Sequence, residues 1–258
     1  VNSTHNPNVV EWLSWDHVAE RIAKGAAAIL PIGAAAKQHG FHLPMNTDRV
    51  QAEALAARIA DHFDALIWPT VTYGYYPAFT EYAGSVSLLG KTFEQVVEEL
   101  TCSLLSYGCE AVLVLDTGIS TIAPIARALS RLDSTKALHL KIHDGPRYKT
   151  AAAGLIQQSH GSHADELETS LMLALAPHSV EMQRAEASPS IAIENDGPLT
   201  PSDTSSPNYS RSGSYGDPTL ATRAKGEILL AAMIDDLVEQ ARDFVSHRAM
   251  SESRKAAS

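Results

Sequence analysis

Ala26-Ala27-Ala28-Ile29-Leu30-Pro31-Ile32-Gly33 decides the fold. It is a short, unbroken apolar run closed by Pro31 and Gly33, the pattern of a strand covered on both faces that feeds a loop. A second run, Glu110-Ala111-Val112-Leu113-Val114-Leu115-Asp116, has the same character and stops at Thr117-Gly118. Residues 65–71 and 137–142 supply two further strand candidates. Helical spacings lie between the strands. Leu55, Ile59 and Phe63 predict a helix over 49–63, Val97, Leu100 and Leu104 predict another, and Ser120 can cap the one after the central strand. This alternation predicts an α/β domain of three layers, α/β/α, with a mainly parallel sheet and with ligands at the carboxyl ends of the strands.

The chain has 258 residues and is 45% hydrophobic, enough for one large core. A single domain over 1–250 is expected, with a long loop at about 186–218 rich in Ser, Pro, Gly and Asn, and a polar tail at 251–258 that frays. Leu230, Ile234, Leu237, Ala241 and Phe244 mark the stripe of a closing helix. The formal net charge of −10 argues against nucleic acid and anionic membrane as partners and favours a small neutral or cationic substrate. No stretch reaches the roughly 18 apolar residues of a membrane span, and Val1-Asn2-Ser3-Thr4 lacks an export signal pattern. Cys102 and Cys109 suggest neither a disulfide framework nor a thiolate metal site. A cytoplasmic protein with reduced thiols is expected.

Directly after the first strand comes Lys37-Gln38-His39-Gly40-Phe41-His42-Leu43-Pro44-Met45-Asn46-Thr47-Asp48, two histidines and an acid where an α/β fold places its chemistry. His39 with Asp48 is the candidate site pair. His42 either orients Asp48 or packs beside Leu43. Lys37 is either a solvated loop residue or a functional cation. Asp116, at the end of the central strand, is a ligand, a cap or a substrate contact. Glu81 lies on a loop with Tyr73, Tyr75 and Tyr76, and these tyrosines line a pocket or an interface. Ser162 with Asp165 reads as a capping box, which leaves His163 and Glu166 between helix-start and site roles.

Taken in order, Pro31-Ile32-Gly33, the His39 to Pro44 run with Asp48, Glu81-Tyr82-Ala83-Gly84-Ser85, His163-Ala164-Asp165-Glu166-Leu167-Glu168-Thr169-Ser170 and Gly216-Asp217-Pro218-Thr219 resemble the creatininase family of metal-dependent amidohydrolases. The resemblance implies an α/β/α fold, hydrolysis of cyclic or linear amides at a one- or two-metal centre, and frequent assembly into hexamers. It implies a metal-ligating role for His39, a bridging role for Asp48, an acid near the metal in Glu166 and a proton-transfer role for His163. Two of the family's ligands are changed. Lys37 stands where a glutamate is usual, and Asp116-Thr117-Gly118-Ile119-Ser120 replaces a segment that carries a histidine.

An ammonium at Lys37 would repel a second divalent ion. The expected cofactor is therefore one divalent metal, zinc or manganese, on His39, Asp48 and Glu166, or none, with Lys37 supplying the charge. The expected function is hydrolysis of a C–N bond in a small linear or cyclic amide, with Glu166, His163 and Lys37 catalytic and Asp116, Glu81 and Tyr76 contacting substrate. The alternatives are a lysine-assisted lyase, isomerase or cyclisation reaction on the same scaffold, and a pseudoenzyme that binds a small molecule or serves in assembly. By the same resemblance a homo-oligomer, a hexamer, is expected, with the 186–218 loop closing a neighbour's pocket.

Overall fold

A computed structural model describes residues 5–188 and 197–256. Residues 1–4, the 189–196 part of the long loop and the last two residues of the tail lie outside the described residues. Four parallel strands, β1 (Ala27–Ile32), β2 (Ala65–Ile67), β3 (Val112–Asp116) and β4 (Ala137–Lys141), form one sheet in the order β2-β1-β3-β4. Alternation along each strand sorts its side chains to two faces. Ala27, Ile29, Leu113 and Leu115 point into one core, while Ala28, Leu30, Ile32, Val112 and Val114 point into the other. Both faces are covered, which is why these strands read as continuous apolar runs.

The helices are α1 (Trp15–Ala23), α2 (Thr47–Ala60), α3 (Gly90–Ser106), α4 (Ile122–Leu129), α5 (Pro146–Leu155), α6 (Glu166–Leu175) and α7 (Arg223–Ala256). Leu55 and Ile59 of α2, Tyr148 of α5, Leu171 of α6 and Leu229, Met233 and Leu237 of α7 fill the first core. Phe93 and Val97 of α3 and Ile125 of α4 fill the second. The three-layer α/β/α reading holds.

Several details differ from expectation. β2 ends at Ile67, two residues before Pro69, whose missing N–H cannot extend the ladder. Leu100 is exposed rather than part of the α3 stripe. The buried stripe of α7 runs through Leu229, Met233, Leu237 and Ala241, so Leu230 and Ile234 lie at its edge. The helix continues to Ala256, through most of the tail expected to fray. Ser120 does not cap α4: its hydroxyl donates to the Tyr75 carbonyl at 2.7 Å, and Thr121 precedes the helix instead. The long loop holds little regular structure in its described part: one bridge joins Thr200 to Tyr209 and another joins Tyr215 to His163. Where α7 crosses α6, a Cβ on Gly226 would lie 1.8 Å from the Ser170 carbonyl oxygen, so the two helices meet backbone to backbone.

The chain leaves β1 toward β2 on one side of the sheet and returns to β3 on the other. A crevice opens at the carboxyl ends of β1 and β3, where such a reversal of strand order favours ligands.

Candidate active site

The loop after β1 carries Lys37 and His39, and α2 begins where it ends, so its first turn returns Asp48 to the same crevice. Lys37 Nζ lies 2.7 Å from Asp48 Oδ2, and His39 Nε2 lies 3.0 Å from Asp48 Oδ1. All three side chains are buried. Burial works to raise the Asp48 carboxyl, but the charges of Lys37 and His39 and their hydrogen bonds outweigh it and hold the group well below the usual carboxylate range. The Lys37 ammonium also lies 5.0 Å from the Phe79 ring centre and 5.5 Å from that of Tyr76. It is a fixed buried cation, not a solvated loop lysine.

Beside this pair, His39, His163 and Glu168 place ligand atoms within 4.8 Å of one another. Glu168 Oε1 is 3.7 Å from His39 Nε2, and Glu168 Oε2 is 3.7 Å from His163 Nδ1. Each imidazole rests its other nitrogen on a backbone carbonyl: His39 Nδ1 on Lys37 at 2.9 Å, and His163 Nε2 on Gln38 at 2.9 Å. That contact fixes each ring and turns its second nitrogen inward, His163 Nδ1 toward Glu168 and His39 Nε2 onto Asp48 Oδ1, the bond an ion at His39 would replace. Burial first, then the charges of Lys37 and His39, push the His163 imidazole well below its ordinary value, which favours the neutral, ligating form. Two imidazoles and a carboxylate, with Asp48 adjoining, are a donor set that suits zinc or another divalent transition ion.

The start of α6 decides which acid joins this cluster. Asp165 caps the helix, accepting from the N–H groups of Leu167 and Glu168, each at 3.0 Å. It is the N-cap itself, not the partner of Ser162 in a capping box. Ala164 before it has φ of 47°, a left-handed conformation unusual for alanine, in the tight turn between His163 and the cap. Residues two apart on a helix point about 200° apart. Glu168 therefore faces the histidines, while Glu166 faces away. Glu166 Oε2 accepts from the N–H groups of Gln157 and Gln158, each at 2.8 Å, and Oε1 pairs with Lys225 of α7. The acid expected at the metal is thus held elsewhere, and Glu168 stands in its place.

Glu166 is fully buried. Replacing Lys225 with methionine should therefore cost about 3–5 kcal/mol, because it strands a buried carboxylate. Urea unfolding checks this, and adding Glu166→Gln should recover most of the loss.

The remaining candidates divide. Lys37, Asp48, His163 and Glu168 border a cavity of about 390 Å³, along with Thr117, Gly118 and His143. Asp116 lies behind that wall, its oxygens taken by Gly118 N at 3.0 Å, Thr121 Oγ1 at 2.6 Å and His139 Nε2 at 3.0 Å. Tyr76 is buried against Lys37 and is not on the cavity wall. Glu81 is exposed in a turn and also off the wall. His143, which sequence reasoning passed over, enters from the loop after β4, and its Nδ1 is 3.3 Å from the Tyr148 hydroxyl.

His42 packs inward. Its Nε2 is 2.7 Å from Thr169 Oγ1, and burial, then the charge of His39, lowers its pKa to about 4 from 6.5. The folded state thus binds this proton less readily than the unfolded chain. Stability should be full above pH 6.5 and decline by on the order of 3 kcal/mol as pH falls toward 4. A His42→Gln variant should show a flatter dependence in denaturation curves taken between those limits.

A parallel α/β/α fold with buried histidines and acids at the carboxyl ends of its strands is the arrangement in which an α/β enzyme carries its active site. The creatininase family model, described as creatinine amidohydrolase, matches residues 11–241, and the chain belongs to that family. Creatinine amidohydrolase of Pseudomonas putida is 26% identical over 252 residues, covering 90% of this chain and 95% of that one. A mycofactocin precursor peptide peptidase of Mycolicibacterium smegmatis is 27% identical over 221 residues, covering 82% and 83%. Both relatives are hydrolytic enzymes. A solved structure titled creatininase Mn superposes with a TM-score of 0.80 at 24% identity, covering 92% of this chain and 98% of that one. A creatininase variant described as Zn-Zn type gives 0.76 at 25% identity, covering 93% and 98%.

Proposed function

We propose that this chain hydrolyses a C–N bond in a small amide, using one divalent ion, zinc or manganese, next to a fixed lysine. The observation that carries the reading is the inward convergence of His39, His163 and Glu168 beside the Lys37–Asp48 pair. His39 Nε2, His163 Nδ1 and a Glu168 oxygen would hold the ion. When bound, it supplies the charge that polarises water and the amide carbonyl.

The chain's own groups do the rest. Lys37, on the cavity wall, presents a positive charge that stabilises the oxygen of the tetrahedral species as negative charge develops there. Glu168, on the same wall, has a second carboxylate oxygen that would take a proton from the attacking water and return it to the leaving nitrogen, whereas His163, with Nε2 on the Gln38 carbonyl and Nδ1 turned to the ion, has neither nitrogen left for that transfer. The largely apolar cavity walls reduce competing water around these charges.

Asp48 engages Lys37 as an ion pair. This arrangement favours a charge role for the lysine over a Schiff base. The two unpaired cysteines, Cys102 and Cys109, fit a reducing cytoplasm. Among the described residues no helix is long and apolar enough to cross a membrane. The same family reading carries a homo-oligomer, and a monomer in light scattering would remove that part of it.

The reading is tested by following amine release from simple amides with protein stripped of metal and then given one equivalent of zinc or manganese. Turnover should need the ion. Equal turnover by the stripped protein would overturn it.

A further inference from the structure

The cavity in front of the cluster is far larger than the reacting amide group needs. Its volume is about 390 Å³, and beyond the polar floor its wall includes Phe79, Ile119, Tyr148, Ile156, Leu167 and Leu199. Ile119 is 59% exposed and Ile156 is 42% exposed, so two large apolar side chains sit in water at the rim of this cavity. Exposed apolar groups gathered around a concave site mark a surface that a ligand covers.

Charge narrows the ligand further. Among the described lining residues Lys37 is the one lysine or arginine, and Asp48 already engages it. Asp48, Asp165 and Glu168 line the same space. A carboxylate or phosphate on the part of the substrate away from the ion would find no lysine or arginine among the described lining residues there, since Lys37 sits at the ion's end on Asp48. For size, a cavity of about 150 Å³ lined by Leu, Ile and Phe accepts benzene, so the present space takes a ring together with an amide.

We propose that the substrate is an uncharged amide bearing an aryl or branched alkyl group, with the amide at the Lys37 and His163 end and the apolar group against Ile119, Ile156 and Leu199. The inference rests on the reading of the site as an amide hydrolase centre and adds the substrate class to it.

Isothermal titration of the metal-loaded protein tests it with three probes: N-benzylbenzamide, its 4-carboxylate isostere and acetamide. The neutral aryl amide should bind at least about tenfold more tightly than either of the others. Ile119→Asp and Ile156→Asp, both at exposed positions, should each weaken it by about tenfold with unchanged melting temperature, since covering such a side chain contributes on the order of 1.4 kcal/mol. Equal or tighter binding of the carboxylate or of acetamide would overturn the proposal, as would unchanged binding in both variants. The assay needs no turnover. The expected binding pattern without hydrolysis would support the pocket and sink the hydrolase reading, while hydrolysis without the pattern would do the reverse.

Discussion

Glu168→Gln should lose its divalent ion and its amide turnover, whereas Glu166→Gln, two residues earlier, should keep both. The two acids lie on opposite sides of α6, one facing His39 and His163, the other bonded to Lys225, Gln157 and Gln158. Losing partners outside the ligand shell typically weakens metal affinity by about 10–100-fold, so losing a charged ligand should exceed about 100-fold. Turnover at limiting metal should fall in step. Glu166→Gln should instead lower stability, because it breaks a buried ion pair and leaves Lys225 partly buried without its charge partner. Metal titration with a chromophoric chelator, alongside urea unfolding, separates the two variants. A metal-loaded, active Glu168→Gln protein would contradict the assignment of this residue.

The second large effect is expected at Lys37. Lys37→Met should reduce turnover by on the order of 10²–10³, the typical loss when one preorganised donor to a developing oxyanion is removed. KM should change little, because the interaction strengthens only in the transition state. Metal affinity should rise at the same time, since a cation beside the ion is gone. Lys37→Arg discriminates between chemistries. An arginine keeps the charge on Asp48 and should retain measurable turnover, but it cannot form a Schiff base. A dead arginine variant together with borohydride trapping of substrate on the wild-type protein would favour the lysine-assisted alternative.

Much of the fold was legible because both faces of the sheet are covered. Val112 to Leu115 is apolar at every position, and only a strand buried on two sides requires that. The same logic failed for helices with a narrow buried stripe. α5 buries only Tyr148, so Pro146–Leu155 carries no apolar period to find. Loop chemistry was legible in kind but not in assignment. His39 and Asp48 were visible because a polar run follows a buried strand. Glu168 was missed because the rotation of α6 depends on its cap, and Asp165 was taken as the last member of a capping box, not as the cap. Reading Asp165 as the N-cap puts Glu168 one helical turn in from it and on the side of Asp165 that His163 approaches. Glu81 and Tyr76 matched in residue type alone, and nothing local reveals that one faces solvent while the other supports Lys37.

The central claim is a single divalent ion next to a lysine that fills the other side of Asp48. Metal analysis of gently purified protein, combined with anomalous diffraction at the metal edge, tests it most directly. One ion per chain should lie among His39, His163 and Glu168, with Lys37 still on Asp48. Two ions per chain, or an ion on Asp48 Oδ2 with the lysine displaced, would contradict it.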